Sequence, residues 1–249
     1  MLKRLYDKSR IWFAVIWIVA YCVLLSAGDS LSEIIGVQKS VTAAIGALLS
    51  IVLIAFLSKN GLFREYGLCA PGVSARTMLY YLPVLVMLTT NLWYGVTLNL
   101  SVIETVLYIV AMLFVGFLEE VIFRGLLFNA MRGDNLKAAV IVSSITFGIG
   151  HIVNLVNGSG VELIPNLLQV VYATSAGFMF VMIYLRSESL ISCILAHGVF
   201  NSLSVFANEA DAGIATRVIF SLMLTLITAS YAVYLAYSLR SKPKSRNEG

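Results

Sequence analysis

Eight apolar runs, each close to the length needed to cross about 30 Å of hydrocarbon, occupy most of this chain: residues 11–27, 40–57, 78–98, 103–130, 138–156, 163–185, 189–206 and 215–239. Short loops join them. Composition agrees, with 59% of the 249 residues hydrophobic and 12% charged, where a soluble domain carries about 25% charged residues. Seventeen basic and thirteen acidic side chains are too few to clothe a soluble domain of this size. The expected fold is therefore an all-α, polytopic transmembrane bundle of about eight spanning helices. It forms one integral membrane domain over residues 1–249, with a disordered polar tail at 241–249. Three widely spaced cysteines, Cys22, Cys69 and Cys193, offer no C-x-x-C pair and read as small apolar packers.

The net charge of +4 is explained by where the charges sit. With the N-terminus inside, the inner segments hold Lys3, Arg4, Lys8, Arg10, Lys59, Arg64, Arg76, Arg132, Lys137, Arg186, Arg240, Lys242, Lys244 and Arg246. The outer loops hold only Lys39 and Arg217, beside Asp29, Glu33, Glu162, Glu209 and Asp211. The positive-inside rule then places both termini in the cytoplasm, and no nucleic-acid partner is needed. Removal of 11–27 as a leader would leave seven helices and discard four of these basic residues, so the first helix is expected to be retained. The longest inner connection, 58–77, is expected to carry a short interfacial helix. Trp12, Trp17, Trp93 and Tyr94 read as an interfacial belt.

Five ionisable groups are left inside the spans: Glu119, Glu120 and Arg124 on the fourth, His151 on the fifth and His197 on the seventh. Each costs free energy in hydrocarbon, so their concentration marks a functional site. Glu120 and Arg124 stand one helical turn apart and can pair. Glu119 is rotated by about 100° and left without that partner, as a general base requires. Counting turns from the inner helix ends puts Glu119, His151 and His197 roughly 12 to 20 Å below the cytoplasmic surface, within reach of one cavity. Asn201 shares a face with His197, an amide and an imidazole suited to a developing oxyanion, and Phe147 stands one turn before His151.

The strings E-E-V-I-F-R-G at 119–125, F-G-I-G-H at 147–151 and H-G-V-F-N at 197–201 resemble the three motifs of the CAAX-protease and bacteriocin-processing family of intramembrane endopeptidases. The resemblance covers about residues 103–206. It implies a glutamate-dependent protease in which Glu119 and His151 activate a water and His197 with Asn201 forms the oxyanion hole. Glu120, Arg124 and Phe147 would support them, and no cofactor would be required. Members of the family remove the tripeptide after a prenylated cysteine or are linked to bacteriocin maturation and self-immunity. The expected substrate is a membrane-anchored protein or peptide cleaved near the cytoplasmic leaflet, and the expected location a bacterial plasma membrane.

Competing readings use the same residues. Glu119, His151 and His197 form a legitimate zinc set, so zinc-dependent proteolysis is the alternative chemistry. A Cys193–His197 nucleophile pair is geometrically possible but would leave Glu119 and His151 idle. A carboxylate with two histidines could also relay protons in a transporter. A bacteriocin-immunity or regulatory protein would bind a partner without cleaving it.

Overall fold

The computed structural model describes residues 2–73, 82–155, 162–209 and 212–240. Every apolar run becomes helix. A short basic helix, α1 (Leu2–Lys8), precedes α2 (Arg10–Ile35) and α3 (Ser40–Lys59). The third run forms α4 (Leu82–Thr89) and a 3-10 turn, Thr90–Tyr94, while 78–81 and the tail 241–249 lie outside the described residues. The fourth is one long rod made of α5 (Val102–Glu119), a π-helical stretch Glu120–Phe128 and α6 (Asn129–Arg132). Then come α7 (Leu136–Gly150) with a 3-10 turn, His151–Leu155, α8 (Leu163–Ser187), α9 (Ile191–Leu203) with a 3-10 turn, Ser204–Phe206, and α10 (Ile214–Arg240). No β-strand forms among the described residues beyond an isolated bridge between Val96 and Ala207.

Six of these helices are long and apolar enough to cross a membrane. Leu82–Tyr94 and Ile191–Phe206 are shorter over the described residues. Among the described residues the bundle therefore has six long apolar helices and two shorter ones. Sequence signals set the starts: Ser9 accepts from Trp12 N and caps α2, Asn135 accepts from Ala138 N and caps α7, and Ser101 with Glu104 forms a capping box on α5.

Packing follows small residues. A Cβ on Gly116 of α5 would lie 2.6 Å from Gly198 N of α9, so those two backbones touch, which is how helices associate where no hydrophobic drive separates them from lipid. A Cβ on Gly148 of α7 would collide with Thr174 of α8 in the same way. On α2 the buried positions Phe13, Trp17, Tyr21, Leu25, Gly28 and Ser32 form one stripe at three- and four-residue spacing. That stripe carries Trp17 into the core, against Phe13, so Trp17 does not belong to the interfacial belt. Trp12, off the stripe, is exposed. The stripe also makes α2 part of the bundle, packed on α3 and on the π-helical stretch.

The connection after α3 differs from expectation. Residues 60–73 form turns, with no interfacial helix among them, and 74–77 lie outside the described residues. The reason is packing. Tyr66 is buried and bonds Tyr6 hydroxyl to hydroxyl at 2.8 Å, the Gly67 carbonyl accepts from Leu190 N, and Ser189 donates to the Cys69 carbonyl. The chain is drawn across the end of the bundle and held there by α1 and the α8–α9 turn.

Candidate active site

The rod of the fourth run brings the site together. Glu119 ends its α-helical part and all nine residues of the π-helical stretch are buried. A π-helix is rare and recurs at functional sites. Here the wider turn still leaves Glu120 and Arg124 on one face, with Arg124 Nη1 3.1 Å from Glu120 Oε1 and both side chains fully buried. The guanidinium is within ion-pair distance but makes no aligned hydrogen bond. It is held instead by charge and by aromatic faces, lying 4.0 Å from the ring centre of Phe147 and 5.5 Å from that of Phe180.

His197 stands between the two glutamates. Its Nδ1–H donates to Glu120 Oε1 at 2.8 Å, and its Nε2 lies 3.3 Å from Glu119 Oε2. The Gly116–Gly198 contact of α5 and α9 makes this possible, because residue 197 is delivered beside 119 and 120 only when the helices nearly touch. Phe180 stacks on the imidazole and Phe147 meets it edge-on. Glu119 therefore differs from the sequence expectation of an unpartnered carboxylate. Besides His197, it accepts a hydrogen bond from the Tyr21 hydroxyl, Oε1 at 2.7 Å. Counting positions along one helix cannot see a donor arriving from α2. Glu119 Oε2 is buried without an aligned hydrogen bond.

His151 opens the 3-10 turn at the end of α7. Its Nδ1 is 3.1 Å from the Phe147 carbonyl, and since a carbonyl can only accept, the proton sits on Nδ1 and the Nε2 lone pair is free to accept. Asn166 of α8 donates to the His151 carbonyl at 2.9 Å and steadies the turn. Phe147 packs edge-on against His151, so one ring touches His151, His197 and Arg124.

Glu119, His151, Phe147, Asn201 and Tyr21 line one cavity of about 450 Å³. His197 stands behind Glu119 and does not share that lining, so His197 and Asn201 are not the side-by-side pair their spacing suggested. Asn201 faces the cavity, whereas His197 is turned to the glutamates. Cys193 is fully buried and its thiol donates to the Phe180 carbonyl, which leaves it no path to the cavity. Among the described residues no three His, Cys, Asp or Glu side chains converge as a metal-holding group. His197 has one ring nitrogen bonded to Glu120, and the Arg124 cation already sits against that carboxylate.

Sequence reasoning missed Tyr21 and Phe180. A tyrosine in an apolar run reads as packing, and a phenylalanine among 13 carries no signal of what it covers.

Fold and site together define a polytopic helical membrane protein in which Glu119, Glu120 and His197 are buried and His151 is half-buried. Residues 99–203 match the Rce1-like family, type II CAAX prenyl endopeptidase, the CAAX-protease family that the three strings resemble, and the matched stretch holds all three. No curated protein matches the chain.

Proposed function

We propose that this protein is an intramembrane endopeptidase that hydrolyses a peptide bond with a water activated by Glu119 and His151. The observation that carries the reading is the shared cavity: the Glu119 carboxylate, an imidazole with a free Nε2 and the Asn201 amide all line it. A water held between the Glu119 carboxylate and His151 Nε2 gives up a proton to Glu119 as its oxygen attacks the carbonyl carbon. The carbonyl oxygen takes on negative charge and Asn201 donates to it. The C–N bond then breaks and the proton passes to the leaving amine.

His197 serves this chemistry differently from a simple oxyanion donor. Bonded to Glu120 through Nδ1, it presents only Nε2, at 3.3 Å from Glu119 Oε2. It fixes the base against the Glu120–Arg124 pair from outside the cavity lining. The substrate class is a membrane-associated protein or peptide, and the setting proposed is a bacterial plasma membrane.

The test is comparative peptidomics of cells carrying the wild-type chain or Glu119→Ala. At least one membrane or secreted peptide should lose a defined terminus in the variant. Identical peptide sets, with equal protein levels, would contradict proteolysis and favour a partner-binding role in immunity or regulation.

A further inference from the structure

The cavity has a direction. α2 lines it only from Tyr21 towards its C-terminal end, reaching Asp29; α3 contributes from its N-terminal turn; α7 contributes from Phe147 onwards, and α8 from its first three turns. All these parts lie at one end of the bundle, where the mouth is marked by Asp29, Lys39, Asn154 and Glu209. The Asp29–Lys39 ion pair, 2.8 Å, ties α2 to the start of α3 there.

Among the described residues the opposite end is closed. Below Glu119 the π-helical stretch supplies nine consecutive buried residues. Beyond it the 60–73 connection crosses the bundle end, with Tyr66 bonded to Tyr6, Glu65 paired to Arg10 at 2.6 Å, and the Gly67 and Cys69 carbonyls bonded to the α8–α9 turn. This closed end carries Lys3, Arg4, Lys8, Lys59, Arg64, Arg132, Lys137 and Arg186, whereas the described residues at the open end include only Lys39 and Arg217 as basic side chains, against Asp29, Glu33, Glu104, Glu162 and Glu209. By the positive-inside rule the closed end is cytoplasmic.

We infer that the active-site cavity opens to the extracytoplasmic face, and that the substrate is a membrane-anchored peptide whose cleavable segment has already crossed the bilayer. The inference rests on the protease reading for its substrate, and on the cavity's course and the charge distribution for its side. It replaces the expectation of cleavage near the cytoplasmic leaflet. That expectation came from counting turns from the inner helix ends, which gives depth but not the side from which the site is open.

Native cysteines test it. Cys22 lines the cavity one residue from Tyr21, Cys69 sits in the connection at the closed end, and Cys193 is fully buried. A small, charged, membrane-impermeant methanethiosulfonate is applied to right-side-out and inverted membrane vesicles holding a variant with Cys22 alone accessible (Cys69→Ser) or Cys69 alone accessible (Cys22→Ser). Modification is read by mass after denaturation. Ser26→Cys, in the Cys22→Ser, Cys69→Ser background, is a second cavity reporter nearer the mouth. The expected result is modification of Cys22 and Ser26→Cys in right-side-out vesicles with loss of it in inverted ones, and the reverse for Cys69. Modification of the cavity positions from the inverted side, from the same side as Cys69, or from neither side while denatured protein reacts, would overturn the inference. The labelling needs no proteolysis, so the expected sidedness without any cleavage would sink the protease reading alone.

Discussion

At the residue scale the two adjacent glutamates have separable tasks. Glu120 is fully buried and shared by Arg124 and His197. Replacing it by Gln strands a buried guanidinium, and breaking a buried pair from one side costs about 3–5 kcal/mol. Glu120→Gln should therefore lower the thermal midpoint and yield of the purified protein, and a variant as stable as wild type would contradict the role. Tyr21 is a positioning residue for Glu119. Tyr21→Phe removes one hydrogen bond to a charged acceptor, worth about 1.5–3 kcal/mol, so kcat should fall roughly ten- to a hundredfold with KM unchanged. A rise in KM with kcat preserved would show that the hydroxyl serves substrate binding instead. Glu119, His151 and His197 were legible in the sequence because an ionisable group in an apolar run is costly to bury and so marks a site. The partners of Glu119 were not, since Tyr21 is 98 positions away and its hydroxyl looks like any other tyrosine's. Asn201 was legible by its one-turn offset, but the offset did not reveal that His197 turns away from the cavity.

At the scale of elements, the helices were readable from run length alone. What run length could not show is the π-helical stretch, because a Glu–Arg spacing of four puts the pair on one face at either helical period. Nor could it show that Ile191–Phe206 is shorter than the long helices. The short α9 lies closest to α5 where Gly116 meets Gly198. Gly116→Ala introduces a methyl 2.6 Å from a backbone nitrogen, and overpacking of this kind costs about 1–3 kcal/mol. The helices must part, which moves His197 away from both carboxylates. Gly116→Ala should lose most activity and some thermal stability in the same preparation. Full activity in that variant would mean that the His197–Glu119 approach does not matter to the reaction.

At the scale of the whole molecule, one gradient organises the protein. Basic side chains and a packed connection close one end, and a cavity leads from the other to a centre of buried charge about 12 Å below Asp29 along α2, by the rise of eight residues. The charge gradient was readable in the sequence. The closure was not, since residues 60–73 look like an exposed polar connection until Tyr6, Tyr66 and Leu190 are seen to hold them. The central claim is that Glu119 is the base of a hydrolytic reaction. Its most direct test is the turnover rate of purified protein in lipid nanodiscs on the peptide that peptidomics identifies, comparing wild type with Glu119→Gln. Loss of a general base lowers the rate about 10²–10⁴-fold, and that loss is predicted with an unchanged thermal midpoint; a Glu119→Gln variant that cleaves at the wild-type rate would contradict the account.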